Sequence, residues 1–178
     1  MSALVMAESG ADPYAVHDNA YNDEYVGLTR SEAVALASTL VDDGPASARC
    51  IYARAKGRSC TVDLGLAQIN SSNLPHYGLS VADVFDSCTN LRVGANLLGD
   101  AWKTALRESR DTAVWAKERA LYARGPTASQ VILRAALSIY NSNSAFASPE
   151  YVERVVAASG SRYVEDVVAA AERARNGN

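Results

Sequence analysis

With 178 residues, 48% of them hydrophobic and 21% charged, the chain is long enough to build one globular domain with its own core. Its composition is that of an ordinary globular protein, not a disordered or fibrous one. A net charge of −3 without a Lys/Arg stripe argues against a nucleic-acid partner, and no apolar run approaches the ~18 residues of a membrane span.

The N-terminus lacks the basic and apolar stretches of a signal peptide, and Met1 stands only seven residues before the first notable group, Glu8, so the chain reads as trimmed. Leu4, Val5 and Ala7 surround Glu8 with apolar side chains, and Ser9-Gly10-Ala11-Asp12-Pro13 then ends the helix. A carboxyl in that setting loses hydration, which favours its neutral form and suits a general acid. The plainer reading is a solvent-facing Glu near a helix end.

Thr29-Arg30-Ser31-Glu32 is a capping box, followed by Ala33, Leu36, Ala37 and Leu40 at helical spacing and stopped by Asp43-Gly44-Pro45. Residues 46–56 read as a short helix or as half of a hairpin, and Gly57 breaks either. Strand signals are confined to residues 49–64, which allow at most a small β-hairpin.

Gly65-Leu66-Ala67-Gln68-Ile69-Asn70 comes next. Two apolar residues would anchor a short helix, Gly65 lets the backbone pass close to another element, and Gln68 and Asn70 present amides of the kind that read sugar hydroxyls. Leu91, Ala95, Leu98, Trp102, Ala105 and Leu106 mark a long amphipathic helix from Asn90 on, and residues 112–122 a further one, stopped by Gly125-Pro126.

Thr127 opens a segment that is apolar nearly all round from 131 to 140, the mark of a buried helix. Tyr140-Asn141 ends it; a buried Tyr needs a partner for its hydroxyl, either a carboxyl or a backbone carbonyl. Ser148-Pro149 caps and starts the next helix, where Tyr151 either stacks on a sugar face or packs. Tyr151-Val152-Glu153 nearly repeats as Tyr163-Val164-Glu165, which reads as two amphipathic helices of similar composition, the last capped by Ser161. The architecture expected is therefore one mainly α domain over residues 1–172, with a frayed polar tail at 173–178.

The three cysteines, Cys50, Cys60 and Cys88, are an odd count: three buried thiols, or one disulfide drawn from three pairings. His17 and His76 are isolated and the cysteine spacings fit no zinc pattern, so no metal and no cofactor is expected.

Taken singly, these segments are weak signals. In this order they resemble the catalytic domain of the peptidoglycan lytic transglycosylases, of the SLT, goose-lysozyme-like superfamily. The resemblance covers about residues 3–158 through Glu8-Ser9-Gly10, Asp12-Pro13-Tyr14-Ala15, Gly65 to Asn70, Tyr140-Asn141, and Tyr151-Val152 with Val155. Val62-Asp63-Leu64-Gly65-Leu66, Asn73-Leu74, Phe85-Asp86-Ser87-Cys88-Thr89-Asn90-Leu91 and Ala136 to Ser142 resemble the branch that serves type IV secretion and conjugation systems.

The resemblance implies a lysozyme-like fold, Glu8 as the single catalytic acid/base, and Ser9, Gln68, Asn70, Asn141 and Tyr151 as glycan-binding positions. Tyr140 would orient the acid, and His17 falls near a sugar-contacting position. Two departures stand out. Ser142-Asn143-Ser144 replaces the family's Thr-Gly or Ala-Gly turn, and part of residues 43–61 reads as an insertion.

The implied reaction cleaves the β-1,4 bond between N-acetylmuramic acid and N-acetylglucosamine and leaves a 1,6-anhydro end. A hydrolytic muramidase is the alternative; it normally needs a second carboxyl roughly 5–9.5 Å away, for which Asp12, Asp18 and Asp63 are candidates. An inactive glycan-binding or scaffold module of a secretion system or phage particle is the other. The implied partners are peptidoglycan strands and secretion-apparatus proteins, in the periplasm or outside the cell. That compartment permits a disulfide, either Cys60 with Cys88 or Cys50 with Cys60.

Overall fold

The computed structural model describes residues 1–110, Trp115 and residues 127–160. The helix expected at 112–122, apart from Trp115, lies outside the described residues, as do its Gly125-Pro126 stop, the Ser161 cap, the second Tyr-Val-Glu copy and the 173–178 tail. In chain order the described elements are α1 (Ser2–Ser9), β1 (Val16–Asp18), β2 (Asp23–Tyr25), α2 (Arg30–Val41), α3 (Ala48–Ala55), β3 (Val62–Leu64) and β4 (Ile69–Asn70). They continue with a single 3-10 turn (Ser71–Asn73), α4 (Leu74–Tyr77), α5 (Val81–Val84), α6 (Ser87–Glu108), α7 (Ala128–Ser142) and α8 (Pro149–Ala158). The mainly helical class expected from sequence is the class observed. Among the described residues, no helix is long and apolar enough to cross a membrane.

The chain divides into two compact units, one built from Met1 with Glu8–Gly94 and one from Ser2–Ala7 with the described residues after Gly94. The first unit holds an antiparallel sheet in the order β2-β1-β3-β4. Val16, Val62, Leu64 and Ile69 are fully buried beneath it, while His17, Asp63 and Asn70 alternate onto the opposite face. This sheet is larger than the hairpin expected around 49–64 and lies mostly outside that window. Residues 46–56, readable either way, form α3, with Ser47 as the N-cap accepting from the Cys50 amide. The strands are only two or three residues long, too short for a period-two pattern to stand out; β1–β2 and β3–β4 are local hairpins, joined by the long-range pairing of β1 with β3.

The capping box of α2 forms as the sequence requires, with Thr29 and Glu32 capping each other's backbone amides. Ser80 and Asp83 make a second box at α5. One charged side chain ties α3 into the unit. Arg49 is 5% exposed and binds the fully buried Asp18, with Nε 3.1 and 3.0 Å from the two carboxylate oxygens and Nη2 2.6 Å from Oδ1. It also donates to the Leu40 carbonyl at 2.9 Å. Burial works against the Asp18 charge, yet the Arg49 hydrogen bond, the Ala20 amide and the guanidinium charge hold its pKa below the ordinary carboxylate range. Beside this pair, Cys50 and Cys60 form a disulfide with a Cα–Cα distance of 5.0 Å. Cys88 is free and exposed, not buried.

The second unit packs Ala101, Ala105, Trp115, Val131, Ala135 and Ala136 into one cluster, with Trp102, Ile139, Tyr140 and Phe146 against it. Thr127 and Gln130 box the start of α7. At its end Asn143 takes the left-handed conformation at φ +57° and its amide closes on Ile139 O at 2.8 Å. The fully buried Ser138 holds the turn that follows. Its hydroxyl donates to Ser144 O at 2.8 Å and accepts from the Ser148 amide at 3.0 Å. Ser148 occupies the expected N-cap position of α8 but makes no side-chain cap; its amide is taken by Ser138 instead.

Candidate active site

Glu8 is the penultimate residue of α1, half-buried, one turn beyond the buried Leu4 and Val5. The helix stops sharply after it. Gly10 and Ala11 take φ of +61° and +69°, and the Asp12 amide turns back onto Ser9 O at 3.1 Å. An alanine in that region costs about 1–2 kcal/mol, so the abrupt stop behind Glu8 is imposed by its surroundings. Asp12 then fixes the exit: Oδ1 accepts from the Tyr14 amide at 2.8 Å and Oδ2 from the Gly27 amide at 2.7 Å.

Ser9, 6% exposed, donates its hydroxyl to Leu66 O at 2.9 Å, which ties the end of α1 to the 65–68 turn. That turn is a tight loop between β3 and β4 and not the short helix expected. The Gln68 amide closes it on Gly65 O at 3.1 Å, and the Gly65 amide is held by Ala15 O at 2.9 Å. Gly65 has φ +71°, and a Cβ there would stand 2.5 Å from Asn90 Nδ2 and 3.2 Å from its Cγ. The close approach expected of Gly65 is thus present, and the element it approaches is the Asn90 side chain at the start of α6.

Asn90 is 1% exposed, and its amide fits the turn completely. Nδ2 donates to Leu64 O at 2.9 Å and Val84 O at 3.0 Å, while Oδ1 accepts from the Ala67 amide at 2.8 Å. Sequence reading passed over this residue within its motif. Its available signal was a lone amide one step before the apolar series of a long helix.

Gln68 itself sits at φ +46°, half-buried, with Nε2 directed to Gly65 O (2.9 Å) and Ala15 O (3.4 Å). Its Oε1 accepts no hydrogen bond from the described residues, so it is the atom this side chain can offer a ligand. Asn70 differs. Its Nδ2 donates to Asp63 Oδ1 at 2.7 Å and Thr61 Oγ1 at 2.9 Å, and its Oδ1 accepts from the Ser72 amide and hydroxyl. Both ends of that amide are occupied within the protein.

The register places Glu24, His17, Asp63 and Asn70 side by side across the sheet on one face. Asn19 joins them, donating to Asp63 Oδ2 at 2.9 Å and Thr61 Oγ1 at 3.3 Å. Asn19 was also missed, although the alternation Thr61-Val62-Asp63-Leu64 puts polar groups on one side of β3. Burial pushes the Asp63 carboxyl above the ordinary range, against the hydrogen bonds from Asn19 and Asn70 and the nearby His17. Among the described residues, no three His, Cys, Asp or Glu side chains gather as a metal set.

The remaining expected residues belong to the second unit. Tyr140 is half-buried against the Trp115 and Val131 cluster, and Asn141 is exposed at the end of α7. Tyr151 is 4% exposed, with the Arg154 guanidinium 5.7 Å from its ring centroid. Of the two expectations for this ring, packing is the arrangement observed.

Comparison with known proteins bears on the chain as a whole. Residues 1–136 match the sequence family described as "Transglycosylase SLT domain". The type IV secretion system protein virB1 of Brucella suis biovar 1 is 32% identical over 166 residues, covering 89% of this chain and 57% of that protein. Protein virB1 of Agrobacterium fabrum is 31% identical over 143 residues, covering 79% of this chain and 44% of that one. The chain therefore spans little more than half the length of the Brucella relative. No solved structure matches it.

Proposed function

The chain belongs to the SLT transglycosylase domain family, and on that premise we propose that it is a peptidoglycan lytic transglycosylase with Glu8 as its single acid/base. The substrate is the glycan strand, cut at the β-1,4 bond between N-acetylmuramic acid and N-acetylglucosamine. Protonated Glu8 donates to the bridging oxygen as an oxocarbenium-like state develops. Ionised Glu8 then removes the proton from the muramyl O6 hydroxyl, whose oxygen attacks the anomeric carbon. The product is a 1,6-anhydro end, and no water is consumed.

One observation carries the preference for one-acid chemistry. The three carboxylates that the sequence offers as a second catalytic group already have protein donors: Asp12 the Tyr14 and Gly27 amides, Asp18 the Arg49 guanidinium, Asp63 the Asn19 and Asn70 amides. A hydrolase needs a second carboxylate open to water or to the sugar.

In this reading Gln68 Oε1, His17 and Asn141 contact the glycan. Ser9 and Asn70 act by holding the α1 end and the sheet face, and Tyr140 orients the acid. Tyr151 supports the cleft from within the packed helices. The protein works outside the inner membrane, where peptidoglycan lies and where the Cys50–Cys60 disulfide is stable. The name of its Brucella relative points to a type IV secretion apparatus as the machine for which it opens the wall.

The test is digestion of purified sacculi by the wild-type chain and by Glu8→Gln, with the released muropeptides weighed. Anhydro ends from the wild type alone support the proposal. Products heavier by one water would replace it with a muramidase, and no products from either protein would leave a binding module.

A further inference from the structure

α3 and the β1–β2 turn form a second surface that this chemistry does not use. Between Asp43 and Asp63 the chain has no acidic residue but carries Arg49, Arg54, Lys56 and Arg58. Arg49 is neutralised internally by Asp18, whereas the other three are exposed. In a chain of net charge −3 these three make a local positive run on and after α3, while β2, which follows the turn, carries the exposed Asp23 and Glu24.

The same patch exposes rings. Tyr21 and Tyr52 meet at 5.0 Å between centroids, tilted by 40°, yet remain 42% and 39% exposed, with Ile51 beside Tyr52 in sequence at 52%. Lys56 Nζ lies 5.9 Å from the Tyr52 ring centroid. The surface is braced from several sides. Arg58 donates to Tyr21 O at 3.0 Å, the Cys50–Cys60 disulfide closes the loop around α3, and Arg49 anchors that helix to Asp18. Rings held in place this way lose little conformational entropy on binding.

We propose that Tyr21, Tyr52 and Lys56 form an accessory platform for the anionic glycan of peptidoglycan, apart from the residues that would cleave it. The inference rests on the proposed substrate. Sugar rings present C–H faces that lie on tyrosine, and the stem-peptide carboxylates pair with Lys56, Arg54 and Arg58. Three cations would neutralise too few phosphates to hold nucleic acid in a net acidic protein. Such a platform would keep the enzyme on the wall between cuts.

The experiment pelletes the full 178-residue chain with purified sacculi in the Glu8→Gln background, so that the polymer stays intact. Tyr21→Ala with Tyr52→Ala should weaken binding about tenfold or more, and Lys56→Glu should weaken it about threefold and flatten its salt dependence. Phe at both tyrosine positions should keep binding within about twofold, since the ring is retained. In the Glu8 background, the alanine pair should leave cleavage of short soluble glycan fragments within about twofold of wild type. Sacculus binding unchanged in both the tyrosine and lysine variants overturns the platform. So does loss of binding to phosphatidylglycerol vesicles in those variants while sacculus binding persists. Failure of the wild-type chain to cleave sacculi would instead sink the transglycosylase reading, and the pelleting result would still decide the platform.

Discussion

Two turns of this protein solve one problem in different ways. In the 65–68 turn and in the turn after α7, residues take positive φ, and one buried polar side chain holds each loop through its backbone: Asn90 at 1% exposure in the first, Ser138 at 0% in the second. At Gly65 the backbone runs so close to Asn90 that no Cβ fits. At Asn143 the left-handed residue is exposed and its side chain has room. Positive φ alone is thus met by asparagine, the residue besides glycine that best tolerates it. Only positive φ combined with close approach demands glycine. The departure at Ser142-Asn143-Ser144 is accommodated without opening the turn.

That contrast can be broken most severely at Asn90. Asn90→Ala removes the buried hydrogen bonds to the Leu64 and Val84 carbonyls and the Ala67 amide, and should lower unfolding stability by about 3–4 kcal/mol, read by urea denaturation. Gly65→Ala adds a left-handed alanine to an overpacked contact and should lose about 3 kcal/mol. Because it displaces the loop to which Ser9 is tied, sacculus cleavage should fall with it. Ser138→Ala removes one donor and one acceptor contact and should lose about 1–2 kcal/mol by the same measurement. Asn143→Gly should change stability by no more than about 0.5 kcal/mol; a loss as large as that of Gly65→Ala would end the distinction between the two turns.

The smallest effect is in pH dependence. Asp63 has a raised folded-state pKa, so the folded protein holds that proton more tightly than the unfolded chain. Its stabilising contribution is full below the ordinary aspartate value, about 3.9, and is lost as pH rises through the folded value. Asp18 has a lowered pKa and contributes in the opposite sense, full above the ordinary value and lost on acidification. Asp63→Asn should therefore show a smaller loss of urea midpoint than wild type as pH is raised from about 4 toward neutrality. An identical profile would remove Asp63 from the account.

Much of this was legible in the chain itself. The helix starts at Thr29 and Thr127 were readable because a capping box is complete within four residues. The helix end at Glu8 and the buried helix ending at Tyr140-Asn141 were readable as helices from their apolar residues, whereas Gly65 to Asn70 proved a turn and a strand. The sheet was not legible, since strands of two or three residues carry too little alternation.

What the sequence by itself determined, then, is what depends on near neighbours: the capping boxes and the amphipathic faces of the helices. Tertiary structure decided which side chains meet across elements and turns. It chose Cys60 as the partner of Cys50 and Arg49 as that of Asp18, and it engaged the Asn70 amide with Asp63 and Thr61, while Gln68 Oε1 accepts no hydrogen bond from the described residues. The physical reason is that a buried polar group must be satisfied by whatever the fold brings within about 3 Å, and local sequence does not specify that neighbour.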